Sequence, residues 1–182
     1  MKNTIIKTLT ALCFVLFAFS AMAQGQLNKG NAILQGGIAL GSSSAAYTTS
    51  EIPLINVTYE KGIKDNFGNG SLSVGGTIGF KSGKSNGFGV DWNYNYMAIA
   101  ARASWHPYFI KSEKVDAYTG LSLGYHRVAV NATSEFDINV SSAEVVLAFH
   151  VGARYHINEK LAAFGELGYG LGFLNVGVAY KF

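Results

Sequence analysis

The chain has 182 residues, with 14 Lys and Arg against 11 Asp and Glu, and it is rich in glycine (22), phenylalanine (12) and tyrosine (10) but has only 2 prolines and 1 cysteine. No apolar run of 18 residues occurs in it, which excludes a helical membrane protein. The charge surplus is small and unclustered, so the composition gives no reason to expect a nucleic-acid partner.

Met1–Lys7 carries two lysines, Leu9–Phe19 is almost wholly apolar, and "AMA" precedes Gln24. This is the pattern of a secretory signal peptide over residues 1–23, cleaved after Ala23. Cys13 lies inside the apolar run without the spacing of a lipidation signal. Loss of Lys2 and Lys7 lowers the basic count from 14 to 12 against 11 acids, a net charge of about +1. The mature chain, 24–182, then has no cysteine and the size of one domain.

Period-2 alternation recurs along that domain and predicts eight strands, near 31–42, 52–62, 70–81, 92–106, 115–130, 141–157, 160–170 and 172–182. In the first, Ala32, Leu34, Ile38 and Leu40 share a face opposite Gln35 and Gly37. In the third, Leu72, Val74, Ile78 and Phe80 oppose Ser71, Ser73, Gly75, Thr77 and Gly79. The sixth sets Val145, Leu147, Phe149, Val151 and Tyr155 against Glu144, His150, Arg154 and His156. Most of these segments reach the length of about 9–11 residues that a tilted strand needs to cross a bilayer. Links near 43–51, 82–91 and 131–140 read as long polar loops on one side, and those near 63–69, 107–114 and 158–159 as turns on the other. The link inside "GYGLGF" is very tight.

The polar faces decide which way the strands point. They carry Gln35, Asn56, Thr58, Glu60, Arg102, Ser104, Asp116, Glu144, His150, Arg154, Glu166 and Lys181 among many glycines. A solvated outer face rarely holds so much glycine, which weakens strands. A narrow barrel interior needs small residues beside a few long polar ones, and aromatics such as Tyr59, Trp105, Tyr155 and Tyr180 near strand ends fit interfacial girdles. The expected fold is all-β, an eight-stranded antiparallel up-and-down transmembrane barrel. A soluble lipocalin-like barrel is the rival.

The closing "GELGYGLGFLNVGVAYKF", with "ARASWHPYF" and "AYTGLSLGY" upstream, resembles the outer-membrane β-barrel (porin-family, OmpA/OmpX-like) proteins of Bacteroidota-like bacteria. The resemblance covers most of the mature chain. It implies a barrel placed in the bacterial outer membrane by the barrel-assembly machinery, which reads a terminal strand such as Val176, Val178, Tyr180 and Phe182. It implies no single activity, since the family is functionally mixed. No peptidoglycan-binding module follows Phe182, so anchoring to the cell wall by that route is not expected.

For chemistry, Glu60, Arg102, Glu144, His150, Arg154 and Glu166 are expected to form a polar network inside the barrel, filling a lumen that eight strands leave just wide enough for side chains. His150 and His156 lie about 20 Å apart along a strand and cannot share a metal ion. Ser122 and His126 share a face but stand about 13 Å apart along it, too far for a nucleophile and its base. The sequence therefore suggests no catalytic residue, no cofactor and no metal. The expected role is structural or surface-interacting, with outer-membrane lipid and lipopolysaccharide as partners of a monomeric barrel. A small channel or a lipid-A-modifying enzyme is the alternative.

Overall fold

The computed structural model describes residues 26–41, 50–51, 53–87, 90–110, 112–133 and 138–182. The expected signal peptide and most of the first outer link lie outside the described residues. Eight strands form the barrel: β1 (Ala32–Leu40), β2 (Leu54–Lys64), β3 (Gly70–Gly87), β4 (Val90–Pro107), β5 (Val115–Thr133), β6 (Ile138–His156), β7 (Leu161–Tyr169) and β8 (Leu174–Lys181). Each pairs antiparallel with its neighbour in sequence, and β1 also pairs with β8, Leu34 opposite Tyr180 and Gly37 opposite Gly177. That last ladder closes the ring, so no barrel edge is left unpaired at the seam. Ser50 and Glu51 add a short rung to β3 opposite Lys84 and Gly83.

The alternation seen in the sequence sorts the side chains by face. Outside, cross-strand rows run Val74–Ala103–Leu121–Phe149, Gly76–Ala101–Leu123–Leu147 and Ile78–Ile99–Tyr125–Val145. Leu123, Val145 and Leu147 are 59%, 72% and 66% exposed, whereas Glu60, Asp116 and Arg154 are fully buried. In a water-soluble domain this distribution is inverted. It suits a barrel whose outer surface meets hydrocarbon and whose backbone groups are paired around a closed ring.

Two links depart from expectation. The described residues of 82–91 and 131–140 are strand, because the ladders continue to Gly87 opposite Val90 and to Ala132 opposite Ile138. Polar composition disguised these extensions, and burial is intermediate at each of residues 92–95 and 128–131, so the two faces are less distinct there than in the barrel. From the Phe80–Met97 pair to the Gly87–Val90 pair the hairpin adds about 20 Å of ladder. β3–β6 thus stand as a four-stranded sheet above the shorter β1, β2, β7 and β8. The β6–β7 ladder begins only at Phe149 opposite Tyr169, so among the described residues β6 from 138 to 148 pairs with β5 alone and forms an edge of that sheet.

Candidate functional site

The inward residues meet in one charged layer. Glu60 on β2 accepts from Arg102 Nε on β4 at 3.2 Å and from Ser104 Oγ at 2.5 Å. Its other oxygen pairs with Arg154 Nη2 on β6. Arg154 also holds Asp116 Oδ2 at 2.8 Å and donates from Nε to Gln35 Oε1 at 2.9 Å. Arg102 holds Glu166 Oε2 at 2.7 Å. The Arg154 guanidinium lies 4.1 Å from the ring centroid of Tyr118, whose hydroxyl donates to Glu166 at 3.2 Å. Three carboxylates and two guanidiniums thus satisfy one another in the buried interior, and such mutual pairing is the condition under which buried charges are tolerated.

Register explains how long side chains fit. The row Glu60–Gly75–Arg102 places a glycine between the two ionic partners, and a Cβ at Gly75 would fall on the Tyr59 carbonyl and the Glu60 Cα. The next row runs Ser73–Ser104–Gly120–His150–Gly168, so the imidazole of His150 has a glycine on each side. Tyr118 likewise faces Gly152, where a Cβ would touch its ring.

Apolar layers flank the charges. On the side of the chain termini, Leu27, Ile33, Ala162, Phe164 and Ala179 cluster. On the other side Ala39, Leu54, Tyr96 and Ala98 pack with Val128 and Leu171. A cavity of about 30 Å³ beside Arg102, His150, Glu166 and Asn175 has room for a water or two and no more.

Of the six residues expected in the network, the structure brings together Glu60, Arg102, Arg154 and Glu166, with His150 hydrogen-bonded through Ser104 at 2.9 Å. Glu144 is the correction. It shares the inward parity but lies opposite His126, in the part of β6 that rises above the β7 ladder, and is exposed. His126 bonds Tyr96 Oη at 2.8 Å and, like Ser122, faces the lumen rather than lipid. Val176, Val178, Tyr180 and Phe182 are exposed, and the Phe182 amide donates to the Ala32 carbonyl at 2.8 Å.

Sequence reasoning passed over Tyr118, His106 and the segment around Leu27. The first two share parity with Asp116 and Arg102, so strand periodicity held the signal. Leu27 is a lone apolar residue in a polar stretch and has no periodicity to report it. Ser73 Oγ lies 3.0 Å from His106 Nε2, and His106 Nδ1 lies 2.7 Å from Asp116 Oδ1, the distances of a Ser–His–Asp triad. All three residues are fully buried, Asp116 also serves Arg154, and Ser73 also reaches Glu60. A nucleophile so enclosed has no approach for a carbonyl, and the geometry reads as one more strut of the charged layer.

Neither the protein-family models nor the curated proteins contain a match to this chain. Solved structures do match. Ail, the attachment invasion locus protein of Yersinia pestis, in complex with the heparin analogue sucrose octasulfate, aligns with a TM-score of 0.54 and 18% identity, over 85% of this chain and 99% of Ail. Ail in a phospholipid bilayer nanodisc aligns at 0.51 and 17%, over 85% and 100%. The N-terminal β-barrel domain of Pseudomonas aeruginosa OprF aligns at 0.46 and 12%, over 87% and 100%. The fold is therefore that of the eight-stranded barrel seen in Ail.

Proposed function

We propose that this chain is an integral protein of the bacterial outer membrane, with a structural or surface-interaction role and a lumen closed by its own side chains. The observation that carries the reading is the four-stranded sheet of β3–β6 continuing about 20 Å past the rows that face lipid. A barrel needed only to span the membrane has no use for such an extension. The sheet presents Lys84, Arg127 and Asn139 outward, and all three are exposed. Together with the sulfated ligand bound by Ail, this favours contact with anionic glycans, lipopolysaccharide foremost. Export through a signal peptide cleaved after Ala23, insertion by the barrel-assembly machinery and a monomeric state belong to the same reading, as does the Bacteroidota-like lineage that the closing strand resembles.

The enclosed Ser73, His106 and Asp116 and the water-sized cavity favour this role over a lipid-A-modifying enzyme or a channel. Planar-bilayer recording tests the closed lumen. The expected result is no steady conductance above that of the bare membrane. Large, long-lived openings would contradict it.

A further inference from the structure

Residues 26–31 precede the first strand, and the ring closes without them, since β1 alone pairs with β2 and β8. Nevertheless they fold back under the barrel. Gly30 adopts φ +93°, a left-handed conformation that turns the chain, and its amide donates to the Gly62 carbonyl at 3.0 Å while the Gly62 amide donates to Asn31 at 2.9 Å. Gly62 is a close-approach position, because a Cβ there would collide with the Asn28 carbonyl. The turn sends Leu27 up into the lumen, where it is 0% exposed against Ile33, Ala162, Phe164 and Ala179. Its carbonyl accepts from Ser71 Oγ at 2.9 Å, Gln26 Nε2 donates to the Pro107 carbonyl at 2.9 Å, and Lys181 Nζ donates to the Gln26 carbonyl at 3.3 Å. These anchors come from β3, β4 and β8, so the segment crosses the mouth rather than lining one wall.

We infer that residues 26–29, hinged at Gly30, are a stopper built into the fold, which seals the mouth at the chain termini and can be withdrawn without opening the β-ladders. Directly above Leu27 lie the charges. Ser71 faces His106 across the β3–β4 ladder, and Phe164 faces Arg154 across the β6–β7 ladder. With Leu27 seated, His106, Asp116 and Arg154 are sealed from water on this side. With Leu27 withdrawn, they become reachable from the periplasm. The Gly62–Asn31 bond continues the β1–β2 ladder past the Ala32–Lys61 pair, but residues 26–29 are held outside any ladder, by the bonds of Gln26, Leu27 and Lys29, which makes them a unit able to open locally. The inference rests on the membrane-barrel reading and extends it by naming the part that closes one end.

Thiol accessibility tests it, because the sequence has a single cysteine, Cys13, within the expected leader. Ala162→Cys places a near-isosteric probe behind Leu27, and Lys160→Cys provides an exposed reference on the same turn. The folded mature barrel is treated with a charged methanethiosulfonate reagent. With Leu27 intact, Ala162→Cys is expected to react far more slowly than Lys160→Cys. Adding Leu27→Gly is expected to speed Ala162→Cys by about tenfold or more, the consequence of removing one buried leucine side chain, with Lys160→Cys unchanged. Equal rates at both cysteines with Leu27 intact would overturn the inference, as would no acceleration in Leu27→Gly. The heat-dependent gel shift of each variant is read in parallel. Its presence shows the barrel intact, so a labelling failure then counts against the stopper alone, and its absence in the parent counts against the barrel.

Discussion

Glu60 and Arg154 form an ion pair although their strands, β2 and β6, stand opposite each other in the ring. Side chains meet across a full diameter only in a barrel narrow enough to be filled by them. Arg154 leaves β6 beside Phe164, passes over the Tyr118 ring and reaches both Glu60 and Asp116. This one residue ties β2, β5 and β6 together, and through Gln35 it also ties β1.

Glu60→Ala is expected to destabilise the folded barrel by about 3–5 kcal/mol, because both arginines lose a buried counter-charge. Glu144→Ala, at an exposed position outside the layer, is expected to change stability by no more than about 0.5 kcal/mol. The urea midpoint of the folded band, compared across the two variants, checks this ordering.

Gly75→Val is expected to abolish or sharply reduce folding. Its Cβ would fall on the Tyr59 carbonyl and the Glu60 Cα of the neighbouring strand, and would push apart the row that sets Glu60 beside Arg102. The fraction of protein that migrates as folded after dilution into detergent micelles measures the effect. Full folding would show that the row has more room than its register implies.

Leu123→Arg and Leu147→Arg are each expected to cost about 2–4 kcal/mol in bilayers, as a charge on the lipid face near mid-depth does. Asn139→Arg, on the outer face of the raised sheet, is expected to cost almost nothing. Folding titrations into phospholipid vesicles separate these cases. Equal, small effects at all three sites would mean that the apolar rows do not face lipid.

Deleting Phe182 is expected to lower the yield of inserted protein more than the stability of barrels already formed. Phe182 stacks edge-on against Tyr180 at 5.2 Å and ties its amide to Ala32, so its contribution to the finished seam is local. Surface yield in cells and the urea midpoint of purified barrel together check this. A normal yield would remove the role of the terminal aromatic in assembly.

Strand number and the shared face of Glu60, Arg102, Arg154 and Glu166 were legible from alternation, since a period of two fixes which face each residue joins, and the glycine content of that face showed that it points inward. The ion-pair partners were not, because Arg154–Glu60 and Arg102–Glu166 join strands across the ring and depend on the relative heights of strands distant in sequence. Glu144 illustrates the limit: parity places it inward, but height along the barrel separates it from the arginines. The raised sheet was hidden by the polar residues of "SGKSNG" and "NATSEFDIN", which suit an exposed ladder as well as a loop. Leu27 was hidden because a single buried side chain outside any strand leaves no periodic trace.

The membrane barrel itself is tested most directly by electrophoresis of the outer-membrane fraction with and without boiling. The expected result is a band in that fraction whose mobility changes on heating, as a detergent-resistant barrel unfolds. Recovery in the soluble periplasmic fraction, with the same mobility before and after boiling, would contradict the account.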